Sequence, residues 1–255
     1  MVSAPFNKGL QYYRFELFTQ SFWAPKRGGQ LFKLANAMGL DNAHVISHVV
    51  GGHSLAPMHK QLAPALERLF LAAKEAGFEL GVASGFRSFD RQRTIWNAKA
   101  DGQRVILSAD ETPLDTALLS DDEKLLAIMH WSAIPGTSRH HWGTDCDVYD
   151  ATALGSHTLS LTVIETQTLF VPFYLWLDSY LLDHPEWVRP YMGCGPVACE
   201  PWHLSYAPLA VQYQRLIEPE MVLAQLLVSD VKLIDRVMKN WPALYEQYVA
   251  AYFVS

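Results

Sequence analysis

The sequence predicts an α+β fold, a small antiparallel sheet with flanking helices and a helical C-terminal extension. Three observations carry that expectation. Leu62, Leu66, Leu69, Phe70 and Ala73 recur at helical spacing over residues 61–76. Residues 78–83 alternate and residues 146–149 form a short apolar-centred run, each about the length of a strand. Helical and strand-like segments interleave without the repeating strand–helix rhythm of a parallel sheet.

Taken in order, residues 11–18 are aromatic-rich and read as a strand or a short helix. Residues 31–38 read as a helix closed by Gly39, and residues 45–53 run apolar into a Gly51-Gly52 turn. His44, His48, His53 and His59 follow no ligand spacing, so surface or packing roles are expected of them. The helix over 61–76 stops at Gly77. The strand over 78–83 then runs into Ser84-Gly85-Phe86-Arg87-Ser88, a turn that presents an arginine at the strand end. A helix is expected over 90–99 and another over 121–131, where Asp121, Asp122 and Glu123 suit the first turn; Ile134-Pro135-Gly136 breaks it. The long segment 100–137 is expected to form a cleft wall or lid. Further on come a core strand over 146–149, a second strand over 159–163, and a buried helix over 166–182 interrupted near Pro172. The tail, 219–253, reads as two helices split at Trp241-Pro242.

Half of the 255 residues are hydrophobic, enough for one sizeable core, so a single domain over 1–255 is expected, with its motifs between 56 and 206 and extensions at 1–55 and 207–255. Net charge is -6 and no basic run exceeds Pro25-Lys26-Arg27, which argues against nucleic acid as a partner. The apolar stretch 169–177 is too short to span a bilayer. The first residues lack the pattern of a signal peptide, so the expected compartment is the cytoplasm, or the periplasm if a leader precedes this sequence. Three cysteines argue against a disulfide framework; Cys194 and Cys199 are read as reduced thiols, with pairing or metal binding near His203 as alternatives.

The chemistry gathers at two places. Residues 138–147 bring Ser138, His140 and Asp147 into one run, and Glu200-Pro201-Trp202-His203 follows far downstream. Two imidazoles, a carboxylate and a spare glutamate are the inventory of a catalytic zinc site: three protein ligands, one open position and a nearby base. Pro201 prevents ordinary helix continuation, so Glu200 and His203 are expected on a turn or strand end.

Ser-x-His-x6-Asp at Ser138, His140 and Asp147, followed by Glu-x-x-His at Glu200 and His203, resembles the VanY-like branch of the D-alanyl-D-alanine carboxypeptidase family. These are zinc peptidases, with D,D-dipeptidases and murein endopeptidases as relatives. The run Ser84 to Ser88 with Gln92 is similar to the family's third motif, and the three motifs come in the family's order over about half the chain. The resemblance implies one Zn2+ held by His140, Asp147 and His203 at the sheet, with Glu200 as general base. Arg87 is the candidate for stabilising the developing oxyanion, because a permanently charged guanidinium fits negative charge there; the resemblance implies Ser138 and Gln92 orienting the substrate's terminal carboxylate or peptide group. The donor types agree, since two neutral imidazoles and one carboxylate leave zinc a strong Lewis acid. His141 is the neighbouring alternative ligand, and the family register favours His140. One departure stands out: Asp145 occupies a position where the family commonly has a small residue, and it either hydrogen-bonds a ligand histidine or points to solvent.

The function so implied is removal of terminal D-alanine from a peptidoglycan stem peptide or its precursor, by a D,D- or an L,D-carboxypeptidase. A murein endopeptidase with the same metal chemistry and a non-catalytic peptidoglycan-binding domain are the alternatives.

Overall fold

The computed structural model describes residues 34–254, without 51, 52 and 194. The element expected over 11–18, the Gly51-Gly52 turn, the start of the helix expected over 31–38, and any pairing of Cys194 with Cys199 lie outside the described residues. Residues 34–37 are helical, and Gly39, at φ +72°, follows them.

The fold is α+β. A hairpin of β1 (Val45–Val50) and β2 (His53–His59) leads through a short 3-10 turn into α1 (Ala63–Glu75). β3 (Leu80–Ser84) follows, then α2 (Phe89–Ala100) and α3 (Asp121–Trp131). Both helices begin on a serine. Ser88 Oγ accepts from Arg91 N, and Ser120 forms a reciprocal capping box with Glu123. Next come β4 (Asp145–Asp150), α4 (Val171–Asp183), β5 (Trp187–Val188) and β6 (His203–Tyr206). The last described helices are α5 (Ala207–Gln214), α6 (Pro219–Leu227) and α7 (Ile234–Tyr248). The central sheet is antiparallel, in the order β3-β4-β6-β5.

β4 shows how this sheet serves core and site at once. Side chains alternate along a strand. Cys146 and Val148 therefore face the core with Leu204 of β6, all completely buried. Asp145 and Asp147 fall on the opposite face, joined there by His203 and Ser205, because Asp145 pairs with Ser205 and Asp147 with His203 across the ladder. The apolar face packs on Leu66, Leu69 and Ala73 of α1 and on Phe173 and Leu177 of α4. Each such leucine contributes roughly 1.5–3 kcal/mol when fully buried. A second cluster joins Trp96 of α2, Ile128 of α3, Trp142, Leu226 of α6 and Trp241 of α7. Between the two clusters lies a cleft of about 340 Å³, walled by Met129 and Ile134 from one and by Trp202 from the other.

Three expected elements differ from those observed. The helix expected over 166–182 starts only at Val171, and Pro172 sits in its first turn rather than interrupting it. Residues 159–163 are not a strand: Thr162 caps a short helical turn, Val163–Gln167, through a capping box with Glu165, and Leu161 precedes it at φ +56°. The Thr-x-x-Glu signal outweighed the apolar run. The tail helices divide before Ile234, at Leu233 with φ +61°, and α7 continues through Pro242. Val237, Trp241, Leu244 and Tyr245 bury one face of α7, and that burial offsets the hydrogen bond the proline cannot donate.

His44, His48 and His59 are packing residues. All three are buried; His44 Nε2 lies 3.0 Å from the carbonyl of His141, and His48 Nε2 lies 3.0 Å from that of His59.

Candidate metal centre and active site

His140 sits on a single 3-10 turn, Arg139–Trp142, that ends at Gly143. Gly143 has φ +68°, and a Cβ there would lie 2.6 Å from Val45 Cγ1 and 2.9 Å from His59 N. The glycine thus lets the ligand loop lie against the β1–β2 hairpin, and its carbonyl accepts from His59 N at 2.8 Å. On the other side the loop is strapped to the turn after β3, where Arg87 N donates to the His140 carbonyl at 3.1 Å.

The ring atoms left over define the centre. His140 Nδ1 donates to the Gly85 carbonyl at 2.8 Å, which leaves Nε2 facing Asp147 Oδ2 at 3.4 Å. His203 Nε2 lies 3.0 Å from Asp145 Oδ2, which leaves Nδ1 facing Asp147 Oδ1 at 3.2 Å. Ligand atoms of His140, Asp147 and His203 all lie within 4.8 Å of one another, and all three residues are buried. Asp147 Oδ1 and His203 Nδ1 have no hydrogen-bond partner although both are buried. Two orphaned, mutually facing donor atoms of the right types are what a tightly held cation would satisfy, so the residues fit a divalent metal. His141 does not compete for it. That ring is fully buried, with Nδ1 2.6 Å from the Arg87 carbonyl and Nε2 accepting from Gly136 N at 3.0 Å.

Glu200 and His203 lie on a turn at the start of β6, as Pro201 suggested. His203 N donates to the Glu200 carbonyl at 3.0 Å, and Glu200 Oε2 is 3.5 Å from His203 Nδ1. Burial pushes the Glu200 carboxyl up to about 7, against the opposing pull of His203. Burial alone would lower His203, but the neighbouring carboxylates of Asp145 and Asp147 outweigh it and raise it to about 10. A metal held by Nδ1 would require that nitrogen to be deprotonated.

Arg87 lines the cleft after β3 and is held there: Nη1 donates to Gln92 Oε1 at 3.0 Å and Nη2 to Ser84 Oγ at 3.2 Å. Gln92 itself stands behind the arginine rather than in the cleft. It is completely buried, and its Nε2 donates to the Ala133 carbonyl at 2.7 Å. Both ends of its amide are occupied within the protein, which leaves neither free for the substrate contact expected of Gln92. Ser138 is buried at the cleft wall and makes no side-chain capping bond.

Asp145 points inward. Its Oδ2 accepts from Arg139 Nε at 2.7 Å as well as meeting His203, and its Oδ1 accepts from Ser205 Oγ at 2.8 Å and Thr144 Oγ1 at 2.7 Å. Burial pushes this carboxyl upward, but Arg139 and His203 outweigh it and hold it far below the usual carboxylate range. Arg139 also donates to Ser205 Oγ at 2.6 Å and to the Tyr252 carbonyl at 3.1 Å. The C-terminal segment thereby braces the candidate metal centre. Sequence reasoning passed over Arg139; its signal was an arginine beside the ligand histidine and six residues before a second acid.

The profile of the VanY family, D-alanyl-D-alanine carboxypeptidase, matches residues 56–209, over half of the chain. The chain belongs to this family. The motif-bearing turn after β3, the His140 loop and the Glu200–His203 turn all fall inside the VanY match; α6 and α7 fall outside it. An uncharacterised protein of Haemophilus influenzae is 34% identical over 96 residues, 38% of this chain and 66% of the relative. A D-alanyl-D-alanine carboxypeptidase of Enterococcus faecalis is 28% identical over 152 residues, 57% of this chain and 47% of the relative. The chain thus spans about two thirds of the first relative's length and about half of the second's. Among solved structures, a vancomycin-resistance D,D-pentapeptidase VanY variant in complex with Zn(II) is 24% identical, with a TM-score of 0.46 over 72% of this chain and 92% of that one. Among the described residues no helix is long and apolar enough to cross a membrane.

Proposed function

We propose that this VanY-family chain is a zinc-dependent carboxypeptidase that removes the terminal D-alanine of peptidoglycan stem peptides. The observation that carries the reading is the pair of orphaned atoms, Asp147 Oδ1 and His203 Nδ1, with the Glu200 carboxylate 3.5 Å from one of them. His140 Nε2, a carboxylate oxygen of Asp147 and His203 Nδ1 would hold the ion. Zinc in such a set supplies Lewis acidity toward water and the scissile carbonyl.

The chain's own groups do the rest. Glu200, held near neutrality by burial, takes a proton from the attacking water and passes it to the leaving amine. Its position beside a ligand nitrogen puts that proton transfer next to the reacting carbon. Arg87, fixed by Gln92 and Ser84, offers a permanent positive charge to the oxygen on which negative charge develops. Ser138 offers a hydroxyl at the cleft wall to the bound peptide. Trp202, Met129 and Ile134 supply apolar walls that suit a small side chain such as alanine.

The test is mass spectrometry of murein tetrapeptide and pentapeptide after incubation with zinc-loaded protein, beside a Glu200→Ala control. Loss of one alanine from the pentapeptide alone indicates D,D-specificity, and loss from the tetrapeptide indicates L,D-specificity. Cleavage of cross-linked muropeptides with both monomers intact moves the assignment to an endopeptidase. No cleavage of any of them, with zinc bound, overturns the proposal.

A further inference from the structure

The cleft carries more positive charge than the proposed chemistry uses. Besides Arg87 it is lined by Lys99, at the end of α2, and by Arg104, in the loop that follows. None of the three forms an ion pair among the described residues. Lys99 is half-buried and turned toward the cleft, where its ammonium donates to Ser132 Oγ at 2.7 Å. Arg104 is fixed at the backbone, its N–H donating to the carbonyl of Ala98 in the last turn of α2 at 2.9 Å. A cation near a helix C-terminus is favourable in water, but that effect does not turn one inward onto a serine between apolar walls. Meanwhile Gln92, which the family pattern suggests for the substrate's carboxylate, is sealed behind Arg87.

We infer that Lys99 and Arg104, with the Ser132 hydroxyl, form the seat of the substrate's C-terminal carboxylate. The inference rests on the carboxypeptidase reading and specifies what makes it an exopeptidase. A carboxylate there would sit between two cations and accept from a hydroxyl, making charge-assisted hydrogen bonds. It would also relieve a cost that the clustered cations carry: burial, together with the charges of Arg104 and Arg87, lowers the Lys99 ammonium to about 8. Glu200's charge reaches Lys99, so the seat and the general base share one cleft. A peptide bound by its terminal carboxylate would present the adjacent bond to the metal side.

The experiment compares a murein pentapeptide with its C-terminal amide, using zinc-loaded full-length wild type, Lys99→Met, Lys99→Arg and Arg104→Gln. Lys99→Met is expected to raise KM for the acid about 10- to 100-fold with kcat within a few-fold, to leave the amide unaffected, and to be restored largely by Lys99→Arg. Arg104→Gln should act in the same direction. Equal losses on acid and amide, or an unchanged KM for the acid, overturn the inference. A binding arm separates it from the function it rests on. N-acetyl-D-alanyl-D-alanine and its amide are titrated into the Glu200→Gln protein, with and without Lys99→Met. The acid should bind at least about tenfold more tightly than the amide, and only when Lys99 is present. That preference without any turnover by the wild type sinks the carboxypeptidase reading and keeps the seat. Acid and amide binding alike, or neither binding, sinks the seat.

Discussion

Asp145 Oδ2 lies 3.0 Å from His203 Nε2, across the ring from the nitrogen that faces Asp147. The contact fixes which nitrogen of His203 is free and keeps the ring basic. The carboxylate can do so because Arg139, Thr144 and Ser205 satisfy its remaining lone pairs. Asp145→Asn is nearly isosteric and removes the charge. It should weaken metal affinity about 10- to 100-fold while the fold persists. Competition against a chromophoric chelator measures this, and unchanged affinity would show that the contact is packing only.

Glu200 and His203 are three residues apart but should separate cleanly in function. Glu200→Gln should retain metal and lose about 10²- to 10⁴-fold in kcat, the range of a lost general base. His203→Ala should lose both metal and turnover. Metal content by elemental analysis, set beside kcat, decides; full metal occupancy in the His203 variant contradicts the ligand assignment.

Gly143 should tolerate no side chain. Its φ of +68° and the 2.9 Å separation between His59 N and any Cβ added here would force the His140 loop off the hairpin. Gly143→Ala is expected to cost roughly 1–3 kcal/mol of stability. Urea denaturation of the metal-free chain reads the cost directly, and a change below about 0.5 kcal/mol, the range of neutral surface substitutions, would contradict it.

Acid should destabilise the fold through its buried imidazoles. Burial lowers His59 to about 4, with the neighbouring charges of His44, Lys60 and His48 adding to it; burial likewise lowers His44. A histidine depressed in the folded state binds fewer protons there than when unfolded at about 6.5, so its contribution is full above 6.5 and is lost as pH falls toward 4. His59→Asn keeps an acceptor for Gln61 N, which the imidazole now caps at 3.2 Å, and removes the titration. Its urea midpoint, measured without metal, should therefore fall less steeply than that of wild type between pH 6.5 and 4.5. Parallel slopes would place the acid sensitivity elsewhere.

Much of this protein could be read from local patterns. α1 and α3 follow from apolar spacing and terminal residues, and the candidate ligands from residue types that few other arrangements explain. Those signals depend on neighbours a few positions apart, which a linear reading sees. The misplaced break at Pro242 came from the same habit, because a proline's local cost was visible and the burial of Trp241 and Leu244 was not. Strand register, by contrast, belongs to chain segments far apart. Only the pairing of Asp145 with Ser205 and Asp147 with His203 put both acids on one face, where Asp147 is the candidate ligand and Asp145 meets the far side of the His203 ring. Gln92 and Lys99 show the same division on one helix. Both are polar residues of α2, yet packing against Ala133 seals the first while the cleft receives the second. Side-chain chemistry is written residue by residue; which groups share a low-dielectric space depends on how distant segments pack, and that decides which of them can act together.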